Sequence, residues 1–195
     1  MKSPSILRAN ARMNRAMATL GGGLFLFGAL LPSDWRSHVG SLGFPIYWSE
    51  ATFPAIHKIA SVSAVPELAT AFFGIGWWAT VVFVLTVASR DPMGQRVAYA
   101  LSTSRSSPLK TLALLYGISL PVLAIIIWIA YALPMDVTPA GNSNWGYHLF
   151  MQMISTRFGL AVLGSIAMVG IGVMHFAVLV FFVGPVMLVL GRGSS

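Results

Sequence analysis

Apolar residues in this chain come in four long blocks, at about 16–31, 68–88, 111–133 and 158–190. Within them there is no 3.6- or 2-residue alternation, so no water-facing side is marked out. A helix needs roughly 20 apolar residues to cross a bilayer. The pattern therefore predicts an all-α membrane protein, a four-transmembrane-helix bundle filling 1–195 as a single integral membrane domain. The first block is short, and either local thinning or a helix running back through Arg15 must accommodate it. Pro66-Glu67 marks the start of the second helix. Thr70/Gly74 and Gly76/Thr80 there are small-residue pairs that let another helix approach, as does Gly21-Gly22-Gly23 in the first block. Pro121 should kink the third helix unless Ser119 or a neighbour satisfies the freed carbonyl. The last block would reach about 50 Å as a helix, against a hydrocarbon core of about 30 Å. It must tilt, protrude or break at Gly184-Pro185. Gly159, Gly164, Gly170 and Gly172 give it a notched surface suited to packing.

Between the blocks lie polar segments of two kinds. Residues 32–66 hold Pro32, Pro45, Pro54 and Pro66 with Trp35, Tyr47 and Trp48, side chains that favour the headgroup region. Ala51–Ala64 reads as an interfacial segment, with Phe53, Ile56, Ile59 and Ala60 on one side and His57, Lys58 and Ser61 toward water. Residues 135–157 combine turn formers with Trp145, Tyr147 and Phe150. By contrast, 1–16 and 89–110 are basic and polar. Lys2, Arg8, Arg12, Arg15, Arg90, Arg96, Arg105, Lys110 and Arg192 fall on one side of the predicted bundle, and only Arg36, Lys58 and Arg157 on the other. That asymmetry places the N and C termini in the cytoplasm and both aromatic segments outside.

Composition reinforces the membrane reading. The chain is 56% hydrophobic and 9% charged, where soluble domains carry about 25% charged residues. A pI near 10.4 would suggest nucleic acid in a soluble protein. Here the cations flank the apolar blocks as topology signals do, so membrane lipids are the expected partner and nucleic acid is not. The absence of cysteine removes disulfides, thiolate catalysis and cysteine-bound metals.

Candidate chemistry is sparse. His175 is an ionisable residue near the middle of the last block, which marks a functional candidate. The competing reading is a neutral histidine bonded to a neighbouring helix, at Ser119 or Tyr116. Haem b between helices usually needs two histidines at one depth, and His38, His57 and His148 all fall in the outer segments. His148, Met151 and Met153 resemble a copper(I) set, though methionine here also suits plain packing. No block has an acid in its interior, and no nucleophile elbow or phosphate loop is present. The expectation is a non-enzymatic protein without cofactor or metal.

The layout resembles the inner-membrane immunity proteins of the colicin A type. Those are small four-span proteins with both termini inside, a long first outer loop and a turn-rich second one. Thr138-Pro139-Ala140-Gly141, followed by Asn142-Ser143-Asn144, is similar to a Thr-x-Ala-Gly element at that place in the family, and Pro185 resembles a proline near the end of its last span. The resemblance implies an immunity protein against a pore-forming bacteriocin or toxin in the bacterial inner membrane. It would recognise a protein partner in the bilayer or at its outer face. The implied partner-binding residues are Thr138, Pro139, Gly141, Asn142, Trp145, Tyr147 and His148, with His175 as the intramembrane polar group. An accessory subunit of a conjugation, secretion or respiratory complex fits the same features, and a haem or copper membrane protein fits them less well.

Overall fold

The structure is a computed structural model that describes residues 4–104, 107–132 and 145–190. Among these residues it is helical and contains no strand. Helix α1 (Pro4–Leu30) runs back through Arg15, one of the two ways expected for the short first block to be accommodated. Short helices α2 (Trp35–Val39), α3 (Phe44–Thr52) and α4 (Pro54–Val62) follow, with a 3-10 turn at Gly40–Gly43. Prolines enter α3 and α4 in their first turns, where the missing N–H costs nothing. Then come α5 (Pro66–Ala88), α6 (Met93–Thr103), α7 (Pro108–Ala132), α8 (Trp145–Ser155) and α9 (Arg157–Gly159). A π-turn at Leu160–Gly164 leads into α10 (Ser165–Val189).

Among the described residues, three stretches are long and apolar enough to cross a membrane: Pro66–Ala88, Leu109–Trp128 and Arg157–Val189. Helix α1 is not among them, and its N-terminal half carries Arg8, Arg12 and Arg15. Its charge-free part, Ala16–Leu30, spans only about 22 Å at 1.5 Å per residue.

Both apolar helices that contain an internal proline continue through it. The last helix does not break at Gly184-Pro185, since α10 passes through Pro185 to Val189. A proline removes one donor, to the Phe181 carbonyl, and membrane helices tolerate that loss. The irregularity sits instead at the π-turn. At Pro121, α7 also continues. Ser119 does not serve the carbonyl that Pro121 frees, on Gly117; its hydroxyl donates to Tyr116 at 3.2 Å.

The chain divides into two compact units. One comprises Met1–Ala18, Val82–Ile126 and Ile171–Ser195. Here Arg12 donates to the Arg90 carbonyl at 2.8 Å, joining α1 to the end of α5, and Ser5 bonds Gln95 of α6. Helix α6 is amphipathic, burying Met93, Gly94 and Val97. A Cβ on Gly184 would sit 2.7 Å from Val97 Cγ2 and 3.2 Å from the Met93 carbonyl, so glycine lets α6 and α10 touch. Tyr116 of α7 meets Phe182 of α10 edge-on at 5.5 Å.

The other unit comprises Thr19–Val81 and Ile127–Gly170. Its core gathers Trp35, Ile46 and Ala71, with Phe27, Leu31 and Ile75 packed against them. The small-residue pairs of α5 work as expected. Gly74 lies against Ile46 and Gly76 against Met168 of α10. Gly164 accepts the ring of Phe72, and Gly28 of α1 is closed in by the Ala161 backbone and the same ring. Helix α4 buries Ile56, Ile59 and Ala60 and exposes His57, Lys58 and Ser61, the two faces expected of it.

Candidate functional site

The second polar segment was the expected recognition element. Thr138, Pro139, Gly141 and Asn142 lie outside the described residues. Trp145, Tyr147 and His148 fall in the first turn of α8. That helix ends at Ser155, and Thr156 in extended conformation restarts the chain by accepting a hydrogen bond from the Gly159 N–H at 2.9 Å. This is an N-cap, the use for which a threonine hydroxyl is suited.

A cavity of about 560 Å³ opens between α8 and the start of the last span. His148, Met151, Gln152 and Ser155 line it from α8. Their spacing of three, four and seven residues puts them on one face. Phe158, Gly159, Val162 and Leu163 line it from the other side. Any side chain on Gly159 would collide with the Gln152 carbonyl, so glycine is what lets α8 fold back so closely. On its opposite face α8 is anchored. Ile154 is fully buried, and its carbonyl accepts a hydrogen bond from Ser63. The π-turn widens the helix at the cavity wall, and such turns recur at functional sites. Ser165 donates to the Ala161 carbonyl at 2.5 Å within it.

The wall is therefore amphipathic. It offers imidazole, amide and hydroxyl groups beside methionine, phenylalanine and branched apolar side chains. Met153, the third member of the expected His–Met–Met set, does not line the cavity. No group of three His, Cys, Asp or Glu side chains occurs among the described residues.

His175 stands elsewhere, half-buried on α10. Its Nδ1 lies 2.8 Å from the Ile171 carbonyl one turn earlier. A carbonyl only accepts, so the Nδ1–H of His175 is the donor in this contact.

Three polar arrangements were not singled out by sequence reasoning, which had treated their members as topology charges. Arg36 bonds Glu67 and lies 3.2 Å from Glu50, with its guanidinium 5.2 and 5.6 Å from the Trp35 and Tyr47 ring centres. Burial works against the charged guanidinium, but the Glu67 hydrogen bond and the charges of Glu50 and Glu67 outweigh it and raise the pKa. Trp35 beneath it donates to the Glu67 carbonyl at 2.8 Å. Arg157 reaches the Ala29 and Leu31 carbonyls at 3.1 and 2.5 Å, closing the C-terminal end of α1. Asp91 is held by Nε and Nη2 along one edge of the Arg96 guanidinium at 2.8–3.0 Å, and its side chain is wholly buried. The only signal available was local: Asp91 and Arg96 flank a proline at a helix start.

No family model, no curated protein and no solved structure matches the chain.

Proposed function

We propose that this multi-pass membrane protein works by recognition, as an immunity protein against a pore-forming bacteriocin or toxin in the bacterial inner membrane. In this reading α1 supplies a fourth crossing and both termini are cytoplasmic. The observation that carries the reading is the amphipathic cavity between His148 and Leu163. It is built from the polar segment expected to face outward, and its wall suits an apolar helix end carrying a few polar groups. Such binding needs no catalysis; it needs shape, small-residue packing and a mixed wall. The test is survival of cells that express this chain when challenged with a panel of pore-forming bacteriocins, including any encoded beside its gene. His148→Ala with Met151→Ala should abolish protection while membrane levels stay constant. No survival gain from the unmodified chain sinks the immunity reading.

A second reading follows from α7. Leu114, Ile118, Leu120, Ile125, Ile127 and Trp128 are all exposed along it. A subunit of a larger inner-membrane complex would cover that row with another protein. Stable co-purification of a stoichiometric membrane partner in mild detergent would favour this second reading over the first.

A further inference from the structure

Arginines are costly near a bilayer unless they find an anion or reach the interface. In the unit containing the start of α1, three of them converge. Arg12 and Arg15 from α1 and Arg90 from the end of α5 line one crevice of about 170 Å³. We propose that this crevice binds the phosphate of an anionic phospholipid, as a defined site.

The charge balance supports an anion. Asp91 is the acid among the lining residues, and its carboxylate is already engaged by Nε and Nη2 of Arg96. Apart from that pair, Arg12, Arg15 and Arg90 give the crevice lining a net positive charge. Against them stands the C-terminal end of α5, worth about half a negative charge. Arg12 also offsets part of that end directly, since it donates to the Arg90 carbonyl at 2.8 Å. This bond fixes Arg12 at the crevice and uses one donor of five. A tetrahedral phosphate oxygen set suits forked guanidinium donors better than it suits lysine.

The crevice surroundings favour a lipid over free phosphate. Ala9, Ala16 and Val87 complete its wall, so the cationic groups sit in an apolar frame. Val82 and Leu85 of α5, toward the apolar side of the crevice, are exposed where acyl chains would lie. Basic pockets between membrane helices are where such headgroups settle. Arg8 is exposed, belongs to the same basic stretch and does not line the crevice, which makes it an internal control. The inference needs only membrane residence and is independent of the immunity reading.

The experiment measures thermal unfolding of the full chain in a neutral detergent. The additions are phosphatidylglycerol, phosphatidylcholine, or inorganic phosphate at equal phosphate concentration. Phosphatidylglycerol should raise the midpoint saturably, with little effect from the other two. Arg15→Gln and Arg90→Gln should each weaken half-saturation about tenfold, the worth of a charge-assisted hydrogen bond. Arg8→Gln should leave it unchanged. An equal shift with phosphatidylcholine, or full reproduction by inorganic phosphate, overturns the proposal. So does an Arg8→Gln loss matching those of Arg15→Gln and Arg90→Gln. Because the two crevice variants leave the Arg12 bond to the Arg90 backbone in place, their folded form provides the reading even if Arg12 cannot be changed.

Discussion

Arg157 offers the sharpest test of how this fold is held. A helix ends with carbonyls that lack intrahelical partners, and α1 ends at Leu30. Arg157 donates to the Ala29 and Leu31 carbonyls at 3.1 and 2.5 Å from a half-buried position. Arg157→Met keeps the length and apolar stem and removes both donors and the charge. One charge-assisted hydrogen bond is worth about 1.5–3 kcal/mol. Both contacts come from one nitrogen, and water reaches part of the site, so the loss should be about 2 kcal/mol in total rather than twice that range. Arg36 makes a useful contrast. It has two carboxylate partners, but its side chain is 40% exposed, and pairs of that kind are worth about 0–1 kcal/mol. Arg36→Met should therefore cost less than Arg157→Met despite facing more charge. The assay is unfolding in mixed micelles titrated with a denaturing detergent, scored by tryptophan fluorescence. Arg157→Lys should fall between wild type and Arg157→Met, since lysine keeps the charge without the fork. Insertion is not a confounder if Arg157 lies on the outer side as the charge pattern predicts, because removing it then only strengthens the orienting asymmetry. An unchanged midpoint for Arg157→Met, or a larger loss from Arg36→Met, would refute the reasoning.

Three further outcomes use the same unfolding assay. Gly28→Ala places a Cβ 3.0 Å from the Ala161 Cα and 3.1 Å from the Phe72 ring; it should cost about 1–3 kcal/mol as overpacking, whereas Gly23→Ala, with open space around it, should be neutral or mildly stabilising. Asp91→Asn breaks a pair whose carboxylate is wholly buried, so it should cost about 3 kcal/mol, and adding Arg96→Met should restore part of that loss. His175→Leu removes a bond to its own helix and should leave membrane levels at wild type; failure to accumulate would make His175 a structural anchor.

Much of the fold was legible because bilayer solvent demands long uncharged blocks. The block at 68–88 became α5, almost end to end, and the two-faced α4 emerged from a modest spacing of isoleucines. Helix α6 escaped notice because four cations and a serine-rich stretch drew attention to residues 89–110 as a polar segment. Its buried side rests on Met93 and Val97 one turn apart, with Gly94 between them, too little apolar surface to stand out. The π-turn had no sequence signal at all, since its register is set by packing around Gly159 and Gly164. Gly184 misled differently. Beside a proline it reads as a hinge, yet its role is to admit Val97. For the site, His148 and Met151 were visible as an i, i+3 pair, but the wall they face comes from a chain reversal after Ser155 that spacing cannot show.

The fourth crossing and the arginine crevice bear on each other through the length of α1. Its uncharged part spans about 22 Å, short of a hydrocarbon core of about 30 Å. If α1 crosses, Arg15 enters near the edge of that core, where a guanidinium is expensive to hold. A lipid phosphate held among Arg12, Arg15 and Arg90 would add negative charge there and draw the headgroup inward, thinning the leaflet to fit the short helix. Parity decides whether the crossing occurs. With four crossings the two ends of this sequence share a side; with the three apolar spans alone they are opposed. The chain has no cysteine, so Ser3→Cys and Ser194→Cys are clean probes for a membrane-impermeant thiol reagent applied to intact cells. Both should be protected until the membrane is opened. Labelling of one and protection of the other would leave α1 on the surface, and the thinning argument would fall with it.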